Sequence, residues 1–183
     1  MKTAIVLLAD GFEEVEAITP IDFLRRAGIT VTSLSISDSL EVRGGHDIVV
    51  KADGLLKDWR GEVDAIVVPG GGVGSKNLAA SHSVAAVLKT QVAQQGLVAA
   101  ICAAPVVVLG PLGILDGKKF TCFPGMETSI SSGKFSLERV VQDGQLICSR
   151  AAGTSAEFAE AIIAALLGPG SAQKLHGETL QKD

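Results

Sequence analysis

Short Val/Ile/Leu-rich runs alternate along the chain with segments of helical apolar spacing, which is the pattern of parallel strands covered on both faces. The strand-like runs are Thr3 to Ala9, Thr30 to Ile36, Ala65 to Val68 and Leu97 to Ile101. Residues 41–52 and 137–149 differ, each pairing β-rich pieces around a turn, Arg43-Gly44-Gly45 in one and Gln142-Asp143-Gly144 in the other; both are expected to be hairpins. Glu13 to Ala27 carries apolar residues at 15, 18, 21, 23 and 24, with Gly28 as its stop. Ser83 to Gln95 is expected to be a helix ended by Gly96. Thr154 to Leu167 is another, opened by the capping box Thr154-x-x-Glu157 and closed by Gly168-Pro169, and Ala172 to Leu180 a short terminal one. The expected fold class is α/β, with a mostly parallel central sheet. No repeat, low-complexity tract or long linker divides the 183 residues, so residues 1–183 are expected to form a single domain.

Apolar residues make up 47% and the mean hydropathy is +0.38, so a well-buried core is expected. Lys plus Arg number 16 against 20 Asp plus Glu, a net charge of −4. That balance leaves no positive excess for a phosphate backbone, and nucleic acid is not an expected partner. The apolar runs are far shorter than the ~20 residues of a membrane-spanning helix, so no membrane association is expected. Lys2 before the apolar stretch Ala4 to Ala9 imitates a signal peptide, but the stretch ends at Asp10, before Glu13 and Glu14, and a first strand explains it better. The three cysteines, Cys102, Cys122 and Cys148, are odd in number and lack CxxC spacing. They suggest neither a disulfide framework nor a zinc site, and a cytoplasmic location is expected.

The densest candidate chemistry lies in Leu97-Val-Ala-Ala-Ile-Cys-Ala-Ala-Pro, read as strand, sharp turn, helix. Cys102 would then sit at the strand's carboxyl end beside a helix N-terminus, whose dipole lowers a thiol pKa. The opposing reading is a buried structural cysteine. Pro69-Gly70-Gly71-Gly72-Val73-Gly74 follows a strand, and such glycine-rich turns present amides to an anion or simply turn the chain. It lacks the Lys-Ser/Thr of a phosphate loop, and Asp10-Gly11-Phe12 after the first strand is no GxGxxG. Glu13, Glu14 and Glu16 fall near the start of the first helix, and pattern alone leaves open whether Glu16 faces solvent or a cleft. Cys122 and Cys148 lie in strand-like runs and are expected to be buried. His46, His82 and His176 share no ligand spacing, so no metal is expected. Arg150 could hold an anion or a partner, or be simply solvated.

The segments Ala9-Asp-Gly-Phe-Glu-Glu-Val-Glu-Ala17, Pro69-Gly-Gly71, Ala99-Ala-Ile-Cys-Ala-Ala-Pro105 and Ser149-Arg-Ala-Ala-Gly-Thr-Ser155 together resemble the ThiJ/PfpI superfamily, in the branch of the parkinsonism-associated protein deglycase. The resemblance runs from about residue 3 to about residue 168. It implies a flavodoxin-like three-layer sandwich and a homodimer. It also implies a cofactor-independent cysteine enzyme acting on small reactive 2-oxoaldehydes or glycated substrates, protective in carbonyl and oxidative stress. On this resemblance Cys102 is the nucleophile, Glu16 its hydrogen-bonding partner, and the Gly71 and Ala103 amides the oxyanion site. Arg25 or Arg26 and His46 fall near the dimer and pocket rim. Ala103 stands where proteolytic relatives carry a histidine, which disfavours protease activity. Phe123 stands where several relatives carry another histidine. The alternative expectations are a redox sensor or stress chaperone that works through oxidation of Cys102 without turnover, and a purely structural binding module.

Overall fold

In the computed structural model, which describes residues 1–182, β1 (Thr3–Leu8) buries side chains in two directions. Ala4, Val6 and Leu8 join one apolar cluster, while Ile5, Leu7 and Ala9 join another on the opposite face. This period-two partition is what a central strand between two helical layers requires. The main sheet contains β10 (Val140–Asp143), β11 (Leu146–Ser149), β7 (Leu97–Ile101), β6 (Ala65–Val68), β1, β2 (Thr30–Ser35) and β5 (Gly54–Leu55), in that spatial order. All neighbours are parallel except β10 and β11. Its five longest parallel strands are thus arranged 2-1-3-4-5, the doubly wound flavodoxin-like order. The expected flavodoxin-like sandwich is therefore the observed one.

One face is covered by α1 (Glu14–Arg26), α4 (Ser155–Leu167) and α5 (Pro169–Glu178), through Leu24, Phe158, Ile162 and Leu175. The other is covered by α2 (Gly72–Ala80) and α3 (His82–Ala93), through Leu78, Val84 and Leu88. Among the described residues no helix is long and apolar enough to cross a membrane.

Both hairpins form, β3 (Glu41–Arg43) with β4 (Val49–Lys51) and β10 with β11. The first turns over a wider loop, 44–48, than the tripeptide Arg43-Gly44-Gly45 suggests. A small parallel pair, β8 (Lys119–Phe120) with β9 (Lys134–Phe135), was not expected, because two-residue strands carry no readable period.

Four readings are corrected. Helix α2 begins inside the glycine-rich run, whose low propensity hides it. The chain after Cys102 is not an α-helix: Pro105–Leu109 form a single wide π-type turn, continued by a 3₁₀ turn. No Thr154 capping box forms. Thr154 Oγ1 instead bonds Ser149 Oγ at 2.6 Å and the Ala151 N–H at 3.1 Å, and Glu157 pairs with Arg139. Finally, α5 starts at Pro169 rather than Ala172, since proline suits a first helical position.

Candidate active site

The carboxyl ends of β1, β6 and β7 meet where the order of the sheet reverses, the place where open α/β sheets hold ligands. Chain leaving β1 forms the Gly11-Phe12 turn and enters α1. The first turns of that helix reverse the expected amphipathicity, because Val15 is 49% and Ile18 40% exposed whereas Glu14 and Glu16 are 6% and 1% exposed. Helix α1 thus carries two carboxylates into the protein, a placement that apolar spacing cannot reveal.

Gly70 brings the second segment in. Its N–H donates to Glu16 Oε2 at 2.9 Å, and a Cβ on it would overlap both that oxygen and Cys102 Cβ. Only glycine allows the three groups to close up. Gly71 follows at φ +91°, and its N–H is turned toward the Cys102 sulfur, as is that of Ala103.

Cys102 itself has φ +64°. A left-handed cysteine is strained by about 1–2 kcal/mol and is held only because its surroundings over-determine it. Its N–H donates to the Ser149 carbonyl at 3.0 Å, and its own carbonyl accepts from the Phe123 N–H at 2.8 Å. The side chain is half-buried and hydrogen-bonded to the Glu16 carboxyl.

Burial pushes Glu16 up to about 7, against the hydrogen bonds from Cys102 and from the Gly70 and Ala152 N–H groups. Burial also pushes the Cys102 thiol up, to about 12 beside an ionised Glu16, whose charge and hydrogen bond add to the rise; the Gly71 and Ala103 N–H groups act in the opposite direction. The expectation of a thiol lowered by a helix dipole is therefore corrected, since burial and the neighbouring Glu16 carboxyl outweigh the N–H groups around the sulfur. The Glu16 charge opposes ionisation of Cys102, so the two do not both ionise near neutrality and titrate as a coupled pair that shares a proton. When that proton sits on Glu16, its O–H becomes a third donor to the thiolate.

Folding thus places Cys102, Glu16, Gly71 and Ala103 together. The sequence reading did not single out Gly70 and Ala152 as site residues, although both stand inside the motifs quoted. Cys122 and Cys148 are fully buried, with thiols raised by burial. His46 Nδ1 lies 2.8 Å from Glu14 and 3.4 Å from Glu13. These three residues offer ligand atoms within 4.8 Å of one another, a cluster made by the β3–β4 loop folding onto α1 and not by sequence spacing. Arg25 is tied to Asp53 and Arg26 to Asp22. Arg150 donates to the Leu137 carbonyl at 3.0 Å and lies 6.0 Å from the Phe135 ring.

The sequence model of the DJ-1/PfpI family matches residues 2–165. The chain belongs to the DJ-1/PfpI family. It is 39% identical over 187 residues to a Parkinson disease protein 7 homolog of Danio rerio, covering 100% of this chain and 98% of that one. It is 35% identical over 172 residues to a glutathione-independent glyoxalase of Caenorhabditis elegans, covering 92% and 90%. Among solved structures, a DJ-1 superfamily protein from Salmonella typhimurium superposes with a TM-score of 0.97 at 36% identity over the whole of both chains. Toxoplasma gondii DJ-1 in an oxidized form superposes at 0.96 with 34% identity over 98% of each. A glutathione-independent glyoxalase thus stands among the relatives of this chain in the DJ-1/PfpI family.

Proposed function

We propose that this chain is a cofactor-independent, glyoxalase-like cysteine enzyme that converts 2-oxoaldehydes to 2-hydroxy acids, with glycated adducts of such aldehydes as further substrates. The observation that carries the reading is the hydrogen bond between the buried Glu16 carboxyl and the half-buried Cys102 sulfur, with Gly71 and Ala103 N–H groups beside that sulfur. Cys102 Sγ adds to the aldehyde carbon, and the carbonyl oxygen takes the proton from Glu16 to give a hemithioacetal. Ionised Glu16 then removes the hydrogen on that carbon and returns a proton to the adjacent one, passing through an enediolate to a thioester. Water releases the 2-hydroxy acid and the thiol. The first carbon is oxidised and the second reduced, so the electrons balance within the substrate. Developing oxyanions are stabilised by the Gly71 and Ala103 amides.

The proposal includes a homodimer, supported by the exposure of Val15 and Ile18 on α1 and of Ile48 and Val49 near the β3–β4 hairpin. Steady-state turnover of methylglyoxal in thiol-free buffer tests the enzymatic reading. Wild type is expected to turn over and Cys102→Ser to be inactive, and activity that survives in Cys102→Ser contradicts it.

A second reading is favoured by one observation, that Cys102 alone of the three cysteines is not fully buried. In it Cys102 is a redox sensor: two equivalents of peroxide oxidise the thiolate to sulfinate and are reduced to water. Peroxide sensitivity without any carbonyl turnover selects this reading over the first.

A further inference from the structure

Each of the three segments that bracket Cys102 presents one exposed large apolar side chain. Phe123, whose N–H is bonded to the Cys102 carbonyl, is 45% exposed, although Phe120, Thr121 and Cys122 before it are fully buried. Its own carbonyl accepts from the Met126 N–H at 3.1 Å, and Pro124 with Gly125 at φ +88° and ψ −16° makes this a type II turn. Phe123 is thereby fixed at both backbone ends. Leu137 is 75% exposed, and its carbonyl is held by Arg150, the residue after the Ser149 that receives the Cys102 N–H. Val73, 62% exposed, stands two residues after Gly71. Single exposed apolar residues are ordinary on protein surfaces, but these three stand on the segments that carry Gly71 and the backbone partners of Cys102.

We propose that this rim, with Phe123 as its fixed wall, selects 2-oxoaldehydes that carry a bulky apolar substituent over those that carry hydrogen or methyl. This rests on the reading of the site as a 2-oxoaldehyde enzyme and names its substrate class. The aldehyde carbon is held at Cys102 and its neighbouring carbonyl near the Gly71 and Ala103 amides, so the substituent on the second carbon is the part left to meet the rim. The apolar area it removes from water there appears as preference for the larger substrate.

The test compares methylglyoxal with 4-methyl-2-oxopentanal, which places isobutyl where methyl stood and leaves the reacting carbonyls electronically alike. Two readouts are taken, kcat/KM and the concentration of each aldehyde that protects Cys102 from iodoacetamide. Wild type is expected to favour the isobutyl compound by about tenfold in both. Phe123→Ala should bring the ratio to about one, Phe123→Leu should retain most of it, and Val92→Ala, on an exposed position of α3, should leave it unchanged. A wild-type ratio at or below one, or a ratio indifferent to Phe123→Ala, overturns the proposal. If neither aldehyde is turned over while protection keeps the preference, the rim stands and the enzymatic reading falls. Equal protection by the two aldehydes removes the rim.

Discussion

Two carboxylates at opposite ends of the parallel sheet have been given opposite fates. At the amino-terminal end, Asp64 accepts from the Thr3 N–H at 2.8 Å, the Thr3 hydroxyl at 3.2 Å and the Lys2 ammonium at 2.7 Å. The Lys2 hydrogen bond, joined by Thr3 and opposed only by partial burial, holds Asp64 below the usual carboxylate range. At the carboxyl-terminal end, Glu16 is 1% exposed and receives only backbone N–H groups and a thiol, with no cation among its hydrogen-bond partners. Burial therefore wins and lifts its titration to about 7, so that its proton can be given up near neutrality. The first environment fixes a charge, whereas the second keeps a proton available for transfer. Cavity size points the wrong way: the void of about 560 Å³ lies at the amino-terminal end, beside Lys2, Thr3 and Asp64. Those polar groups are already satisfied by one another, so volume alone does not locate the chemistry.

The largest expected effect follows from the movable proton. Glu16→Gln keeps a hydrogen-bond donor to the thiolate but carries no exchangeable acid, so turnover of 2-oxoaldehydes should fall by about 10²- to 10⁴-fold while Cys102 remains open to alkylation. Wild-type-like steady-state rates would transfer the acid–base role to another group.

Stability should change in the opposite sense. Native Glu16 binds its proton more tightly than the unfolded chain does, because its value rises from 4.5 to about 7. Its contribution is thus complete below pH ~4.5 and is lost as the pH climbs through 7, a loss of about 3 kcal/mol. Glu16→Gln removes this dependence, and urea unfolding should find it more stable than wild type by up to about 3 kcal/mol at pH 8 and nearly equal at pH 4.5. An unchanged difference at the two pH values would mean that the carboxyl is ionised in both states.

Gly70→Ala forces a methyl group between Glu16 and Cys102. Overpacking of that kind costs about 1–3 kcal/mol, and the same variant should lose turnover by more than its stability loss explains. A variant with wild-type kinetics would show that the approach of the two side chains is incidental.

The smallest effect belongs to the other end of the sheet. Asp64 has a lowered value in the native state, so its contribution is present above the unfolded carboxylate range and disappears as pH falls through the native value. With Lys2 and Asp64 side chains 45% and 30% exposed, Asp64→Asn should cost only about 1 kcal/mol at pH 7 by urea unfolding. That cost should shrink as the pH falls through the acid range, and turnover should not change. A turnover defect would break the division between the two ends.

Strands β1, β6 and β7 could be read from the sequence because each carries an uninterrupted apolar run, and both hairpins because glycine marks their turns. Helix α2 could not, since Gly72 and Gly74 belong to it and local propensity opposes it. At the site, the four quoted segments named Cys102, Glu16, Gly71 and Ala103, but the direction in which Glu16 points depends on α1 turning its acidic residues inward and Val15 outward. The same tertiary choice overturned the expected lowering of the thiol: a strand–turn–proline pattern cannot distinguish an α-helix from one π-type turn, nor announce a carboxyl beside the sulfur. The Glu14–His46 contact, 32 residues apart in sequence, likewise exists only after the β3–β4 loop has docked.

The central claim is that Glu16 serves Cys102 as a neutral donor rather than as a standing negative charge. It is tested most directly by the rate of Cys102 alkylation by iodoacetamide against pH in wild type, Glu16→Gln and Glu16→Leu. If Glu16 holds the shared proton, Glu16→Gln retains a reactive thiolate near neutrality, and Glu16→Leu, with burial but no donor, reacts about tenfold more slowly at pH 7. If Glu16→Leu instead reacts faster than wild type, Glu16 is an ionised neighbour that keeps the thiol protonated, and the account of the shared proton is wrong.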